Sequence, residues 1–308
     1  MNSKIVFLII IIIVLSFLIN CNDKNSPTRN YKLNILVTTT IIADVVQNIC
    51  GDRAYVESLL PSGASPHSFE AIPSDIAKID HADILFINGG GLERSLDKLI
   101  DQPDIKSKTI SLSEDLHFLY DDTSKLSEEH KDSGIDPHVW MDPHNVITWV
   151  NTIDTVLCER DIDNCSIYKK NSEEYIIKLN ELDIWIANQL KSIEEDNRKI
   201  VTDHRMLGYY GNRYGLEQVG TILPGFNSLA EPSAREVARL EADIRKLNVK
   251  AVLVGINMNP ALAERITKDT GTKLIQFYSG SLSEKGGPAD TYLKYMQFNT
   301  LAIIEALN

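Results

Sequence analysis

The chain has 308 residues and a formal net charge of −12. Hydrophobic residues make up 43% and charged residues 24%, which is too apolar for a disordered chain; the length suffices for two domains of roughly 150 residues each. The acidic balance, with no run of Lys or Arg, argues against nucleic acid as a partner, because phosphate neutralisation needs clustered cations.

At the N-terminus, Lys4 precedes an apolar run from Ile5 to Ile19, broken only by Ser16. A spanning helix needs ~20 apolar residues, so the run is short for an anchor and suits the core of a signal peptide over residues 1–20. It ends at Leu18-Ile19-Asn20-Cys21, which resembles a bacterial lipobox, although Asn20 departs from the usual small residue. Cys21 is the expected lipidation site and 21–32 a polar, lipid-anchored linker. The expected location is extracytoplasmic, lipid-anchored to the cell membrane on the periplasmic or outer face. An uncleaved anchor helix is the alternative. No later segment is apolar enough to span a bilayer.

Lys32 to Thr40 reads as a strand, followed by a helix over Ile41 to Cys50 that Gly51 stops. Tyr55 to Leu60 is a second strand. Pro73 to Ile79 is a helix opened by Pro73 and Ser74. Ala82 to Asn88 is a third strand ending in Gly89-Gly90-Gly91, and Lys108 to Leu112 a fourth. A polar loop fills Tyr120 to Asp136, and a helix covers Val146 to Cys158. From 168 to 196, Tyr175, Leu179, Leu182, Ile186, Leu190 and Ile193 recur at helical spacing with no Gly or Pro between them. That predicts one long amphipathic helix of roughly 43 Å. Strands then follow at Lys199–Thr202, Glu217–Leu223, Val249–Val254 and Lys273–Phe277. Helices at Leu207–Tyr214, Ser233–Leu247 and Ala261–Asp269 separate them. The alternation predicts an α/β fold of two lobes, each a mainly parallel four-stranded sheet flanked by helices, joined by one long rigid helix. The boundaries are 33–167 for the first lobe, 168–197 for the helix and 198–308 for the second lobe.

No G-x-S-x-G, Walker loop or G-x-G-x-x-G is present, and Gly89-Gly90-Gly91 reads as a tight turn. Cys158 and Cys165 flank Asp161-Ile162-Asp163-Asn164, a turn between helices. A disulfide there and two free thiols are both open readings for a chain outside the cytoplasm. No Cys-x-x-Cys supports a thiolate zinc site.

Three of the seven histidines stand in loops where strands end: His67, His138 and His204. Ligands of open parallel sheets bind outside the carboxyl ends of the strands, so the three can converge. Taken singly, each is a surface or capping histidine. His81 reads as structural and His144 as lying at a helix start. His117 and His130, beside and within the acidic loop, are weaker candidates for transient metal capture.

These residues lie in Pro66-His67-Ser-Phe-Glu70, Asp136-Pro-His138-Val-Trp-Met-Asp142-Pro143, Thr202-Asp-His204, Glu231-Pro-Ser233 and Gly287-Pro-Ala-Asp-Thr291, in that order. Over 33–308 the chain resembles the ZnuA/TroA-like solute-binding lipoproteins of bacterial ABC importers for zinc and manganese. The resemblance implies His67, His138 and His204 as metal ligands. It also implies a membrane permease with a cytoplasmic ATPase as partner, and no catalysis. The family's fourth ligand is commonly an Asp, and Gly280 stands there; water or a carboxylate such as Glu284 would have to replace it.

Three imidazoles with an open fourth position suit zinc, whereas manganese favours oxygen ligands. Zn²⁺ is therefore the expected cargo and Mn²⁺ the alternative. Glu70, Asp136 and Asp142 are candidates to accept the ligands' second ring N–H, while turn formation before Pro137 and Pro143 is the competing role for the two Asp residues. Other readings are a surface adhesin with a structural metal and a zinc-dependent hydrolase or lyase. A monomer is expected.

Overall fold

Among the described residues, short β-branched runs bounded by turn residues become eight parallel strands in two sheets. The computed structural model describes residues 33–120, 134–226 and 231–308. The signal segment, Cys21 and His130 lie outside the described residues. The first sheet comprises β1 (Asn34–Val37), β2 (Tyr55–Ser58), β3 (Ile84–Ile87) and β4 (Thr109–Ser111), in the order β2-β1-β3-β4. The second comprises β5 (Lys199–Thr202), β6 (Glu217–Thr221), β7 (Ala251–Gly255) and β8 (Lys273–Phe277), in the order β6-β5-β7-β8. Ile35 pairs with Val56 on one side and Ile84 on the other, and Val201 likewise sits between Gly220 and Val252. Helices cover both faces, so the central strands are apolar and buried apart from their ends at Asn34 in β1 and at Lys199 and Thr202 in β5; all five residues of β7 are buried.

Local signals set the helices. Helix α1 (Thr40–Cys50) starts where the Thr39 hydroxyl accepts from the Ile42 amide, and it stops at Gly51 with φ of 56°. Helices α2 (Pro73–His81) and α3 (Pro143–Arg160) both begin on proline, α3 with Asp142 as its cap. Helix α4 (Cys165–Leu190) has 26 residues, about 39 Å, and buries Tyr168, Tyr175, Leu179, Leu182, Ile186 and Leu190. Beyond it come α5 (Gly208–Tyr214), α6 (Ala234–Leu247), α7 (Ala261–Thr270) and α8 (Tyr292–Leu307). A capping box between Ser233 and Glu236 opens α6.

The long helix lies earlier than its spacing suggested, ending at Leu190 rather than 196. No glycine or proline stops it. The Arg198 guanidinium donates to the carbonyls of Leu190 (3.1 Å) and Ile193 (3.0 Å), so a side chain beyond the helix satisfies its open end. Ile193 is still buried, but in the following turn. Helix α8 is absent from the sequence expectations. It buries Tyr292, Tyr295, Met296, Asn299 and Thr300, a stripe mixed with polar groups, while Leu301 is 52% exposed. Two single-turn helices, Asp97–Ile100 and Pro103–Lys106, also escape the pattern. Cys158 and Cys165 form a disulfide across the turn between α3 and α4, and Cys50 is free and buried.

The described residues, from 33 onward, form one compact unit. One hydrophobic core runs from β1 and α1 through α3 and α4 to β5, β7 and α8. Helix α4 packs on α1, α3 and α8 and therefore lies inside this shared core. None of the described helices is long and apolar enough to cross a membrane.

Candidate metal centre

The strand ends deliver three loops to one point. His67 lies in the loop after β2, His138 in the segment between β4 and α3, and His204 just past β5. Their ring centroids stand 5.1, 5.2 and 5.3 Å apart. The Nε2 atoms of His67 and His138 are 3.0 Å apart, and those of His138 and His204 are 3.3 Å apart. His138 and His204 are buried, and His67 is partly so. These three are the one metal-competent group of His, Cys, Asp or Glu among the described residues.

Two of the rings have their tautomers set by carboxylates. Asp136 Oδ1 accepts from His138 Nδ1 at 2.8 Å, and Asp203 Oδ1 accepts from His204 Nδ1 at 2.7 Å. With the proton held at Nδ1, each Nε2 keeps its lone pair and aims it at the others. The same oxygens accept the main-chain N–H of His138 and His204, which locks the loops to the rings. Asp203 Oδ2 reaches on to the Gly255 amide at the end of β7, at 2.7 Å. Burial pushes the Asp203 carboxyl up, but the hydrogen bonds from His204 and Gly255 outweigh it and hold the group below the usual carboxylate range. Burial, reinforced by the neighbouring imidazoles, holds His67 and His138 well below the usual imidazole value. His67 and His138 therefore resist protonation, which leaves their ring nitrogens open to a cation supplied from outside.

The His138 loop is fixed from three directions. Asn88 Nδ2 donates to the Pro137 carbonyl at 3.0 Å, from the glycine turn after β3. In that turn Gly89, Gly90 and Gly91 all have positive φ, and Glu93 accepts from the amides of Asn88 and Gly89 and the hydroxyl of Thr38. From α5, the Tyr209 hydroxyl donates to the Asp136 carbonyl at 2.9 Å. From α8, the Tyr292 hydroxyl donates to the Trp140 carbonyl, and Trp140 Nε1 donates to Tyr295. Gly208, at the start of α5, lies so near Asp136 that a Cβ there would come within 2.5 Å of Oδ2.

A cleft of about 320 Å³ opens beside the histidines, lined by Ser65, Ser68, Asn257, Met258, Ser279 and Gly280 among others. Gly280 presents no ligand, and a Cβ there would come within 2.7 Å of Pro66 Cδ. Glu284 is exposed and lines a neighbouring cleft with Ser62 and Pro288 instead. No carboxylate joins the three imidazoles among the described residues.

The remaining expectations separate. Asp136 hydrogen-bonds a site histidine. Asp142 does not: its Oδ1 caps α3 by accepting the His144 amide at 2.8 Å, because Pro143 starts the helix and leaves Asp142 facing its N-terminal amides. Glu70 is exposed, and no hydrogen bond among the described residues links it to a site histidine. His81, His117 and His144 are exposed and stand outside the cluster. Asp203 went unrecognised, although an Asp just before a loop His was already visible at Asp136-Pro-His138. Tyr209, Tyr292 and Tyr295 carried no comparable signal.

Comparison with known proteins agrees with this architecture. The sequence matches the family described as zinc-uptake complex component A, periplasmic (ZnuA), over residues 35–306. The manganese-binding lipoprotein MntA of Halalkalibacterium halodurans is 30% identical over 310 residues, with 99% of each chain covered. The manganese ABC transporter substrate-binding lipoprotein scaA of Streptococcus gordonii is 29% identical over 314 residues, again with 99% of each covered. Among solved structures, the Mn-bound periplasmic metal-binding protein of Candidatus Liberibacter asiaticus matches with a TM-score of 0.78 at 25% identity, over 90% of this chain and 100% of that one. The periplasmic zinc-binding protein TroA of Treponema pallidum matches in fold with a TM-score of 0.78 at 24% identity, over 89% and 99%.

Proposed function

Because the chain belongs to the ZnuA family of metal ABC transporter substrate-binding proteins, we propose that it captures a divalent transition metal, zinc first, outside the cytoplasm. It then delivers the ion to a membrane permease driven by a cytoplasmic ATPase. It is a solute-binding protein, not an enzyme. His67, His138 and His204 are the ligands in this reading. The two metal-binding lobes are 33–167 and 198–308, held by 168–197. Cys21 carries the lipid anchor, and the protein works as a monomer.

The observation that carries the reading is the facing pair of Nε2 lone pairs on His138 and His204, 3.3 Å apart. Two such acceptors repel each other until a cation lies between them. A tetrahedral zinc about 2.0–2.1 Å from each nitrogen holds its ligands about 3.3–3.4 Å apart. The two buried carboxylates, Asp136 and Asp203, balance the charge of one divalent ion without coordinating it. An all-nitrogen set with no carboxylate favours zinc over manganese, which prefers oxygen. Water completes the coordination from the cleft.

Manganese is the second reading, favoured by the relatives named for it at 30% and 29% identity. Competition decides between them. Residues 22–308 are stripped with chelator, reloaded with equimolar zinc, manganese and iron(II), and their metal content measured. One zinc per chain supports the proposal, and preferential manganese replaces it with the second reading. No stoichiometric metal removes both.

A further inference from the structure

One charged cluster beside the metal centre has no part in holding the metal. Asp183 projects from the last third of α4. Arg213 of α5 grips it with two nitrogens, Nε at 2.5 Å and Nη2 at 2.8 Å. The Tyr214 hydroxyl donates to the same carboxylate at 2.8 Å. Arg213 Nε also lies 3.3 Å from Asp142, the cap of α3, and His144 Nε2 lies 3.6 Å from Asp183. Three elements thus meet at one carboxylate. Helix α5 begins at Gly208, just beyond His204, and α3 begins at Pro143, just beyond His138. Each ligand loop therefore runs into a helix tied to this cluster, α3 at its start through Asp142 and His144 and α5 in its last turn through Arg213 and Tyr214.

We propose that the Arg213–Asp183 pair, with Asp142 as its third member, is a positioning joint that sets the spacing of His138 and His204 and so governs how fast the captured cation leaves. The inference rests on the metal-capture reading above. Arg213 and Asp183 touch neither the cluster nor its cleft and act only through the loops. The pair is well placed to hold a geometry. A guanidinium fork on a carboxylate fixes direction as well as distance, which a lysine cannot reproduce. The side chains are 25% and 17% exposed, so solvent weakens the pair less than it weakens a surface bridge. Helix α4 is buried along one side in the core shared by both sheets, which gives both loops one rigid reference.

The test is the rate at which zinc passes from the loaded protein to excess chelator at pH 7.5. Arg213→Lys and Asp183→Asn should release zinc about tenfold faster than the parent, the scale on which supporting partners of metal ligands act. Tyr214→Phe removes one hydrogen bond and should give a smaller increase; it serves if the charge variants fold poorly. Lys106→Gln, which loses an exposed pair with Asp101, should match the parent. Melting of the metal-free variants separates the roles. Lower melting temperatures with release rates within twofold of the parent would make the cluster merely structural and overturn the proposal. A parent that takes up no stoichiometric zinc would overturn the capture reading instead, before any variant is compared.

Discussion

His138 and His204, 66 residues apart in the chain, bring their Nε2 atoms to 3.3 Å, and each ring is held from behind by its own aspartate. The rings are thus oriented before a cation arrives. The pairing makes the outcome of single substitutions specific. His67→Ala, His138→Ala and His204→Ala should each abolish stoichiometric zinc binding. Asp203→Asn keeps all three imidazoles but changes the partner of His204 Nδ1, and should cost 10- to 100-fold in affinity. Calorimetric titration checks both. An Asp203→Asn affinity equal to the parent's would show that the hydrogen bond does not orient the ring.

Metal choice should follow donor chemistry. His204→Glu exchanges a nitrogen for a charged oxygen donor and should move the zinc–manganese preference toward manganese. The measurement is bound zinc against bound manganese after equimolar loading, and an unchanged ratio would count against the donor-set argument.

The site should weaken in acid, because imidazoles bind a metal only when unprotonated. His67 and His138 are held below the usual value by burial first, with His138 and His204 adding to it at His67 and His204 at His138. A histidine whose folded pKa is depressed contributes no penalty above its unfolded value of about 6.5. Below that value the unfolded chain takes up protons that the folded chain refuses, and stability falls. Metal-free protein should therefore lose melting temperature as pH drops below about 6.5, while zinc affinity stays flat from pH 8 to that point. An affinity already falling between pH 8 and 7 would contradict the assignment.

Restoring an aspartate at 280 should fail by itself. A Cβ at Gly280 would stand within 2.7 Å of Pro66 Cδ, so Gly280→Asp must displace the loop that carries His67. We expect a destabilisation of about 1–3 kcal/mol and weaker zinc binding. Adding Pro66→Ala should relieve the overlap and recover stability. Denaturant unfolding of both variants checks this, and a fully stable single variant would show that the loop yields freely.

Asp44 offers a titration of opposite sign. It lies on α1, where its Oδ2 accepts from the Tyr292 amide of α8 at 2.9 Å and from the Tyr175 hydroxyl of α4 at 3.4 Å. Burial outweighs these bonds and pushes its carboxyl up to about 6. A raised folded value means that ionisation costs stability at neutral pH, and that the cost disappears as pH falls from about 6 to 3.8. Asp44→Asn keeps an acceptor oxygen without the charge. It should melt higher than the parent at pH 7.5, by no more than about 3 kcal/mol, with the difference gone at pH 4. A variant less stable than the parent at every pH would show that the ionised carboxylate contributes more through its hydrogen bonds than its burial costs.

Much of this protein is legible in one dimension because its signals are local. Apolar runs such as Lys199–Thr202 and Lys273–Phe277 are strands over the residues their composition marks. The Ser233 and Gly51 boundaries follow from a capping box and one positive φ, whereas Thr39 and Thr40, expected in the first strand, cap and open α1 instead. The three loop histidines, their order and their positions after strands follow from the same short-range pattern. Packing decided the rest. The convergence of His67 and His138 spans 71 residues. The end of α4 depends on a guanidinium from beyond the helix. Asp142 turned from the histidines to a helix cap and Arg213, while Asp203 took a ring N–H. Periodicity and capping act across one or two turns of chain, whereas a metal site is built from side chains whose distances are set only when separate sheets close on one core.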